Sequence, residues 1–264
     1  MAMRLNARRD RIVELLLEFQ RMSVEELAQR LGASRETIRR DLTELAARNR
    51  LRKFHGGAAL PDTVGEGAFR IRMVAKLEAK RAIARRAAAL FGARDSLFID
   101  AGSTTVALAG ELAQREGLTV ITNSVGIAQL TSRNGANGTF LLGGEHRHEA
   151  GENVGSMVLQ QLAGFSPEHA VLTVDGIAAA GIADSDLAAA EIARVMIARA
   201  ERLTIVADAS KFERPALFHL CPLRRIERLV TDQPPPPALA QALEEAGTEV
   251  ILAPSIVQNE AENN

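Results

Sequence analysis

The chain has 264 residues, 47% hydrophobic and 25% charged, with a formal net charge of −1. That balance excludes a disordered chain, and the length allows one large domain or two of the usual ~100–150 residues. One cysteine, Cys221, excludes an intramolecular disulfide and a multi-cysteine zinc site, and a chain without Trp or Tyr is a poor base-stacking platform for single-stranded nucleic acid.

No apolar run reaches the ~18–20 residues of a membrane span, and the Arg-rich beginning lacks the apolar core of a secretory signal, so a cytoplasmic protein with no membrane partner is expected. The charge is unevenly spread. Residues 1–60 carry 13 Lys and Arg against 8 Asp and Glu, while the rest carry 19 against 25. A polyanion partner for the first sixty residues and a merely solvated Arg-rich face both fit that charge; the pattern decides between them.

Ile12, Leu15, Leu16 and Phe19 recur at helical spacing over residues 8–21. Ser23 and Glu26 form a capping box for a short helix that buries Val24, Leu27 and Leu31 and stops at Gly32. Ser34 opens a third helix with Ile38, Leu42 and Leu45 as its buried stripe, so two short helices flank Gly32-Ala33-Ser34 in a helix-turn-helix. Arg35, Thr37, Arg39 and Arg40 then lie at the exposed start and flank, where a recognition helix meets base edges and phosphates. Residues 51–60 read as a hairpin wing around Gly56-Gly57, with Arg52 and Lys53 on its first arm against the DNA backbone; a plain linker turn is the alternative. The expected organisation is a winged helix-turn-helix domain over 1–60, a linker over 61–75, a second domain over 76–254 and a tail over 255–264.

In the second domain a helix over 76–91 precedes seven apolar runs: 97–100, 119–122, 139–142, 170–174, 203–207, 228–231 and 249–252. Helical stretches over 104–115, 125–131, 153–163, 188–200 and 238–246 separate them. This alternation predicts a doubly wound, mostly parallel α/β sheet. Ligands of such sheets collect at the carboxyl ends of the strands. The first end carries Asp100, Gly102, Ser103, Thr104 and Thr105, which reads as an anion cradle at a helix N-terminus or, alternatively, as helix caps only. Thr122, Asn123 and Ser124 follow the second strand, Gly143 and Gly144 the third, Asp175 the fourth, and Lys211 the fifth. Together they fit a small hydroxylated anion: amides and hydroxyls for phosphate, carboxylates for sugar hydroxyls, Lys211 for charge. Residues 145–149 (Glu-His-Arg-His-Glu) tempt a metal reading, but Arg147 repels a cation and a solvated loop is expected. Arg147 either faces an anion or pairs internally. Cys221 reads as a packed small hydrophobe.

Leu27, residues 34–42 (Ser-Arg-Glu-Thr-Ile-Arg-Arg-Asp-Leu) and 55–58 (His-Gly-Gly-Ala) resemble the DeoR-type winged-helix repressors. The resemblance continues through residues 100–105, 122–124, Gly143-Gly144, Gly155 and 208–212, and covers roughly residues 8–252. It implies a transcriptional repressor of carbohydrate or polyol catabolism genes. Its sensor domain would be related in fold to ribose-5-phosphate isomerase and coenzyme A transferases, and a phosphorylated sugar or polyol would release it from operator DNA. The chain departs from the family's pattern at Ala193, where a Lys is common, and in the compressed segment Asp184-Ser185-Asp186.

The partners expected are double-stranded operator DNA, a phosphorylated effector and a second copy of the chain, since one helix-turn-helix reads a single half-site and a homodimer or homotetramer reads repeats. No cofactor, no metal and no catalytic residue is expected. The competing reading is a sugar-phosphate isomerase-like enzyme with an added DNA-binding domain, in which Asp100, Asp175 and Lys211 do acid–base chemistry.

Overall fold

The computed structural model describes residues 5–19, 21–47, 50–54, 56–59 and 69–253. Expectations for His55, Leu60, residues 61–68 and the tail lie outside the described residues. The chain divides into two compact units, Met1–Lys76 and Leu77–Asn264.

The first unit runs α1 (Leu5–Phe19), β1 (Arg21–Ser23), α2 (Val24–Leu31), α3 (Arg35–Ala47), β2 (Arg52–Phe54), β3 (Gly57–Ala59) and α4 (Phe69–Val74). Its core joins Ile12, Leu15 and Leu16 of α1 to Leu27 of α2 and Ile38, Leu42 and Leu45 of α3. The capping box is formed: the Glu26 N–H donates to Ser23 Oγ at 3.1 Å, and the Ser23 N–H donates to Glu26 Oε2 at 2.8 Å. Gly32 ends α2 at φ +58°, a left-handed position that costs glycine nothing. The wing is a three-stranded antiparallel sheet in the order β1-β3-β2, one strand more than the sequence suggested. A Cβ on Gly57 would collide with the Met22 carbonyl and the Phe54 ring, so only glycine lets β1 close against the hairpin. Part of the expected linker is the helix α4, whose six residues are too few to show a clear apolar period.

The second unit runs α5 (Leu77–Ala88), β4 (Ser96–Ile99), α6 (Ser103–Leu112), β5 (Thr119–Thr122), α7 (Val125–Thr131), β6 (Gly138–Leu141), β7 (Glu145–Arg147), β8 (Glu152–Val154) and α8 (Ser156–Leu162). It continues through β9 (His169–Leu172), β10 (Gly176–Ala178), β11 (Gly181–Asp184), α9 (Leu187–Arg199), β12 (Arg202–Val206), β13 (Phe218–Cys221), β14 (Arg228–Thr231), α10 (Pro237–Glu245) and β15 (Glu249–Leu252). Seven strands form one sheet in the order β15-β14-β12-β9-β4-β5-β6, with every neighbouring pair parallel. Side chains alternate between the faces: Leu97 and Ile99 enter a core with α5 and α6, and Phe98 enters another with α8, α9 and α10. The chain runs outward from β4 through β5 and β6, then returns to the other side of β4 as β9. The strand order therefore reverses between β4 and β9, where open α/β sheets bind their ligands.

Two small antiparallel sheets were not anticipated: the hairpin β7–β8, and β10-β11-β13. The segment read as a solvated loop over 145–149 is thus in part a strand, and β8 occupies the start of the helix expected over 153–163. Cys221 is buried, as a packed hydrophobe should be.

Candidate functional site

Ser34 Oγ accepts the Thr37 N–H at 3.1 Å and starts α3, and the two hydroxyls lie 2.8 Å apart. Arg35, Arg39 and Arg40 are exposed on α3, while Thr37 is half-buried. Arg35 pairs with Glu25 at 2.5 Å and Arg40 with Glu36 at 3.3 Å, both pairs well exposed. Such pairs are worth about 0–1 kcal/mol, so exchanging the carboxylate for a phosphate costs little. Arg52 and Lys53 are exposed on β2, and Lys53 Nζ donates to Thr43 Oγ1 of α3 at 2.9 Å, which joins wing and helix into one basic surface. Asp41, in the middle of the same motif, faces the other way. It is buried and accepts Arg8 Nε at 2.6 Å and Arg9 Nε at 2.9 Å.

The residues expected to hold an anion follow five adjacent strands, β6-β5-β4-β9-β12, at their carboxyl ends. At the reversal point Asp100 Oδ2 accepts the Thr173 N–H at 3.0 Å, and Asp100 Oδ1 is buried with no partner among the described residues. A Cβ on Gly102 would collide with the Thr173 side chain, so the β4–α6 turn packs directly on β9. Gly102 is the N-cap of α6 and provides no side-chain cap, which leaves that helix terminus to its backbone amides. Ser103 is half-buried and Thr104 buried, whereas the Thr105 hydroxyl turns inward and donates to the Asp100 and Gly102 carbonyls. Lys211 is buried, with Nζ 3.8 Å from Asp175 Oδ1.

Burial, reinforced by the charge of Asp184, pushes the Asp100 carboxyl up to about 8. Burial and then Asp175 raise Asp184 to about 6, and burial with Arg214 nearby lowers Lys211 to about 7. At neutral pH Asp100 is therefore mainly a neutral acid able to donate a hydrogen bond.

On the β5 side, Thr122 Oγ1 accepts the Ser124 N–H and Ser124 Oγ caps α7 through Ile127. These hydroxyls shape the strand end. Asn123 is buried, donates to the Asn153 carbonyl at 3.0 Å and keeps a buried Oδ1 with no partner among the described residues. The Gly143 N–H bonds Gln161 of α8, and Gly144 lies so close to Val154 and Val158 that a side chain has no room, which seats β7–β8. That hairpin brings in residues that sequence reasoning missed: Glu152, buried, with Oε2 3.5 Å from Asn123 Nδ2, and Asn153. Thr173 was likewise missed. It lay inside the run 170–174 read as a strand, which gave no signal of a site residue.

Asp95, Glu168 and His169 form a cluster at the opposite, amino edge of β4 and β9. A metal on His169 Nε2 requires a proton on Nδ1, which is buried and has no partner among the described residues, so the trio is a poor metal site. A surface groove of about 510 Å³ at the ends of α6 and α7, lined by Gln114, Arg133 and Asn134 among others, also lies at the amino edge, away from the polar strand ends. No helix among the described residues is long and apolar enough to cross a membrane.

The DeoR-like helix-turn-helix domain matches residues 8–64, and the DeoR C terminal sensor domain matches residues 75–233. The chain is 32% identical over 242 residues to the glycerol-3-phosphate regulon repressor of Escherichia coli (strain K12), covering 91% of this chain and 96% of that one. It is 32% identical over 243 residues to the HTH-type transcriptional repressor GlcR of Bacillus subtilis (strain 168), covering 91% and 93%. Among solved structures, ribose 5 phosphate isomerase A from Neisseria gonorrhoeae is similar over 50% of this chain and 52% of its own, with 16% identity and a TM-score of 0.37. With both its helix-turn-helix and its sensor sheet matched, the chain belongs to the DeoR family of DNA-binding transcriptional repressors.

Proposed function

We propose that the chain represses genes of carbohydrate or polyol use and releases its operator when a phosphorylated sugar or polyol binds at the carboxyl ends of β4, β9 and β12. The observation that carries this reading is the reversal point. A helix N-terminus with no side-chain cap, a buried carboxyl with one oxygen unpartnered among the described residues, and a buried lysine stand on three adjacent strands. The amides of Ser103 and Thr104 and the ammonium of Lys211 suit a phosphate. Asp100 and Asp175 suit hydroxyls. A set of this kind serves binding, and the chain acts as a regulator in the cytoplasm rather than as a catalyst. The ligand changes DNA affinity only by the factor with which it discriminates between two arrangements of the protein.

On the DNA side, α3 reads the major groove with Arg35, Thr37 and Arg40, flanked by Arg39, and the wing holds phosphates through Arg52 and Lys53. A homodimer or homotetramer places α3 on repeated half-sites. The test uses a duplex selected from a random pool by the full chain, with unrelated duplex as control. Arg40→Ala should lose about 1–3 kcal/mol on the selected duplex and little on the control. Arg52→Ala should weaken both equally and reduce the salt slope by about one. If Arg40→Ala binds both duplexes as the wild type does, the assignment of α3 is wrong.

A further inference from the structure

One side chain of the hairpin β7–β8 reaches across the rim of the sensor site to α9. Arg147 Nη1 lies 2.9 Å from Asp186 Oδ2, at the start of α9, and 4.0 Å from Glu152 Oε1. Asp186 belongs to the same polar rim as the strand ends. Its N–H donates to Asp184 Oδ1 at 2.8 Å, and the Ser185 N–H donates to Asp175 Oδ2 at 3.2 Å. Asp175 is the carboxylate beside Lys211.

The Arg147–Asp186 pair is the weak point of this rim. Both side chains are partly exposed, at 39% and 50%, so their pairing contributes little to stability. Asp186 does not need Arg147, because its Oδ1 accepts the Ala189 N–H at 3.0 Å and caps α9 whether or not the guanidinium is present. A planar guanidinium also meets a phosphate dianion with two parallel bonds. Released from Asp186, Arg147 loses one exposed contact and gains a doubly charged partner.

We propose that Arg147 is an effector-binding residue and that Asp186 is its internal stand-in for the effector's phosphate, so that ligand and Asp186 compete for one guanidinium. This rests on the phosphorylated-effector reading above. The exchange also removes the Arg147–Asp186 bond between β7 and α9, while β8 stays packed on α9 through Val154.

A structural ion pair predicts that removing either partner weakens the site. Competition predicts opposite signs. Full-length wild type, Arg147→Gln, Arg147→Lys and Asp186→Asn are titrated calorimetrically with sn-glycerol 3-phosphate, glucose 6-phosphate and inorganic phosphate, and with glycerol and glucose as phosphate-free controls. Asn caps a helix as well as Asp does, so Asp186→Asn removes the charge and keeps α9 intact. For whichever phosphate compound binds the wild type, Arg147→Gln should bind about tenfold more weakly, Arg147→Lys should fall between, and Asp186→Asn should bind severalfold more tightly. Weaker binding by Asp186→Asn, or unchanged binding by Arg147→Gln, overturns the competition while leaving the effector reading in place. If the wild type binds none of the phosphates, or binds the phosphate-free controls as well, the effector reading falls and the competition falls with it.

Discussion

Asp41→Asn should unfold the N-terminal unit at temperatures where the sensor unit remains folded. Asp41 is 2% exposed at its side chain and accepts the Nε groups of two arginines, Arg8 and Arg9, which are themselves only 14% and 16% exposed. Asparagine keeps the shape but removes the charge; the largely buried Arg8 guanidinium loses this counter-ion, and Arg9 is left with the exposed Glu44 at 3.8 Å. Breaking such a cluster costs about 3–5 kcal/mol. A unit of this size has a total stability near the lower end of the usual ~5–15 kcal/mol. Scanning calorimetry should therefore resolve an early transition in the variant that the wild type lacks, with DNA binding lost across it. A loss of under ~0.5 kcal/mol would place Asp41 among ordinary surface substitutions and contradict the packing described for α1 and α3.

Asp100→Asn should stabilise the sensor unit, and increasingly so as pH rises from 4 to 8. Burial lifts the folded-state carboxyl to about 8 from an ordinary value near 3.8. Between those values the folded protein holds a proton that the unfolded chain has released, so stability falls with rising pH across that window. Asp184, raised to about 6, adds a fall of the same sign between about 4 and 6. Lys211, lowered to about 7 from 10.5, works oppositely and adds stability as pH rises between those two values. The wild type should thus lose stability from pH 4 towards neutrality.

Asparagine removes the Asp100 share of that loss. Its carbonyl accepts the bonds of Thr173, and its Nδ2 takes the place of the acid O–H. The gain should be under ~1 kcal/mol at pH 4, grow by about 1.4 kcal/mol per pH unit above it, and reach about 5 kcal/mol at pH 8, read as a difference in unfolding midpoints. A difference that stays constant with pH would contradict the buried, neutral state assigned to Asp100. If the same variant also loses the effector, Asp100 is a residue whose stability cost is retained for binding.

The seven-stranded sheet was legible because six of its strands are apolar runs closed by Gly, Asp or Asn, the last, β15, runs into Ala253-Pro254, and both faces of the sheet are covered. The small sheets were not legible. The three-residue strands β7 (Glu-His-Arg) and β8 (Glu-Asn-Val) have no period to read, and they pair because Gly144 lets them approach Val154. β1 is equally short, and its place was decided by Gly57 on a strand 34 residues later.

The site followed the same division. Strand ends could be read one after another, so Asp100, Gly102, Asp175 and Lys211 could be assigned to one sheet edge from the sequence. Glu152, Asn153 and Asp186 reach the rim through the hairpin and through α9, and the spacing within any one strand end says nothing about them. Within residues 34–42 the motif itself did not separate Arg39 and Arg40, which face solvent, from Asp41, which faces the core. The stripe of Ile38, Leu42 and Leu45 does separate them, because Asp41 is three residues after Ile38 and one before Leu42.

The most direct measurement of the central claim is thermal unfolding of the full chain, followed with an external dye because the chain has neither Trp nor Tyr. Phosphorylated sugars and polyols are set against their dephosphorylated forms. At ~100 times its dissociation constant a ligand adds about 2.7 kcal/mol, which raises the midpoint of a unit of this size by roughly 5–11 °C. A shift of that size in the sensor unit with a phosphorylated compound, and none with its dephosphorylated form, is the predicted result. A flat response across the panel, or equal shifts with and without the phosphate, would contradict the assignment of the strand ends at Asp100, Gly102 and Lys211 to a phosphorylated effector.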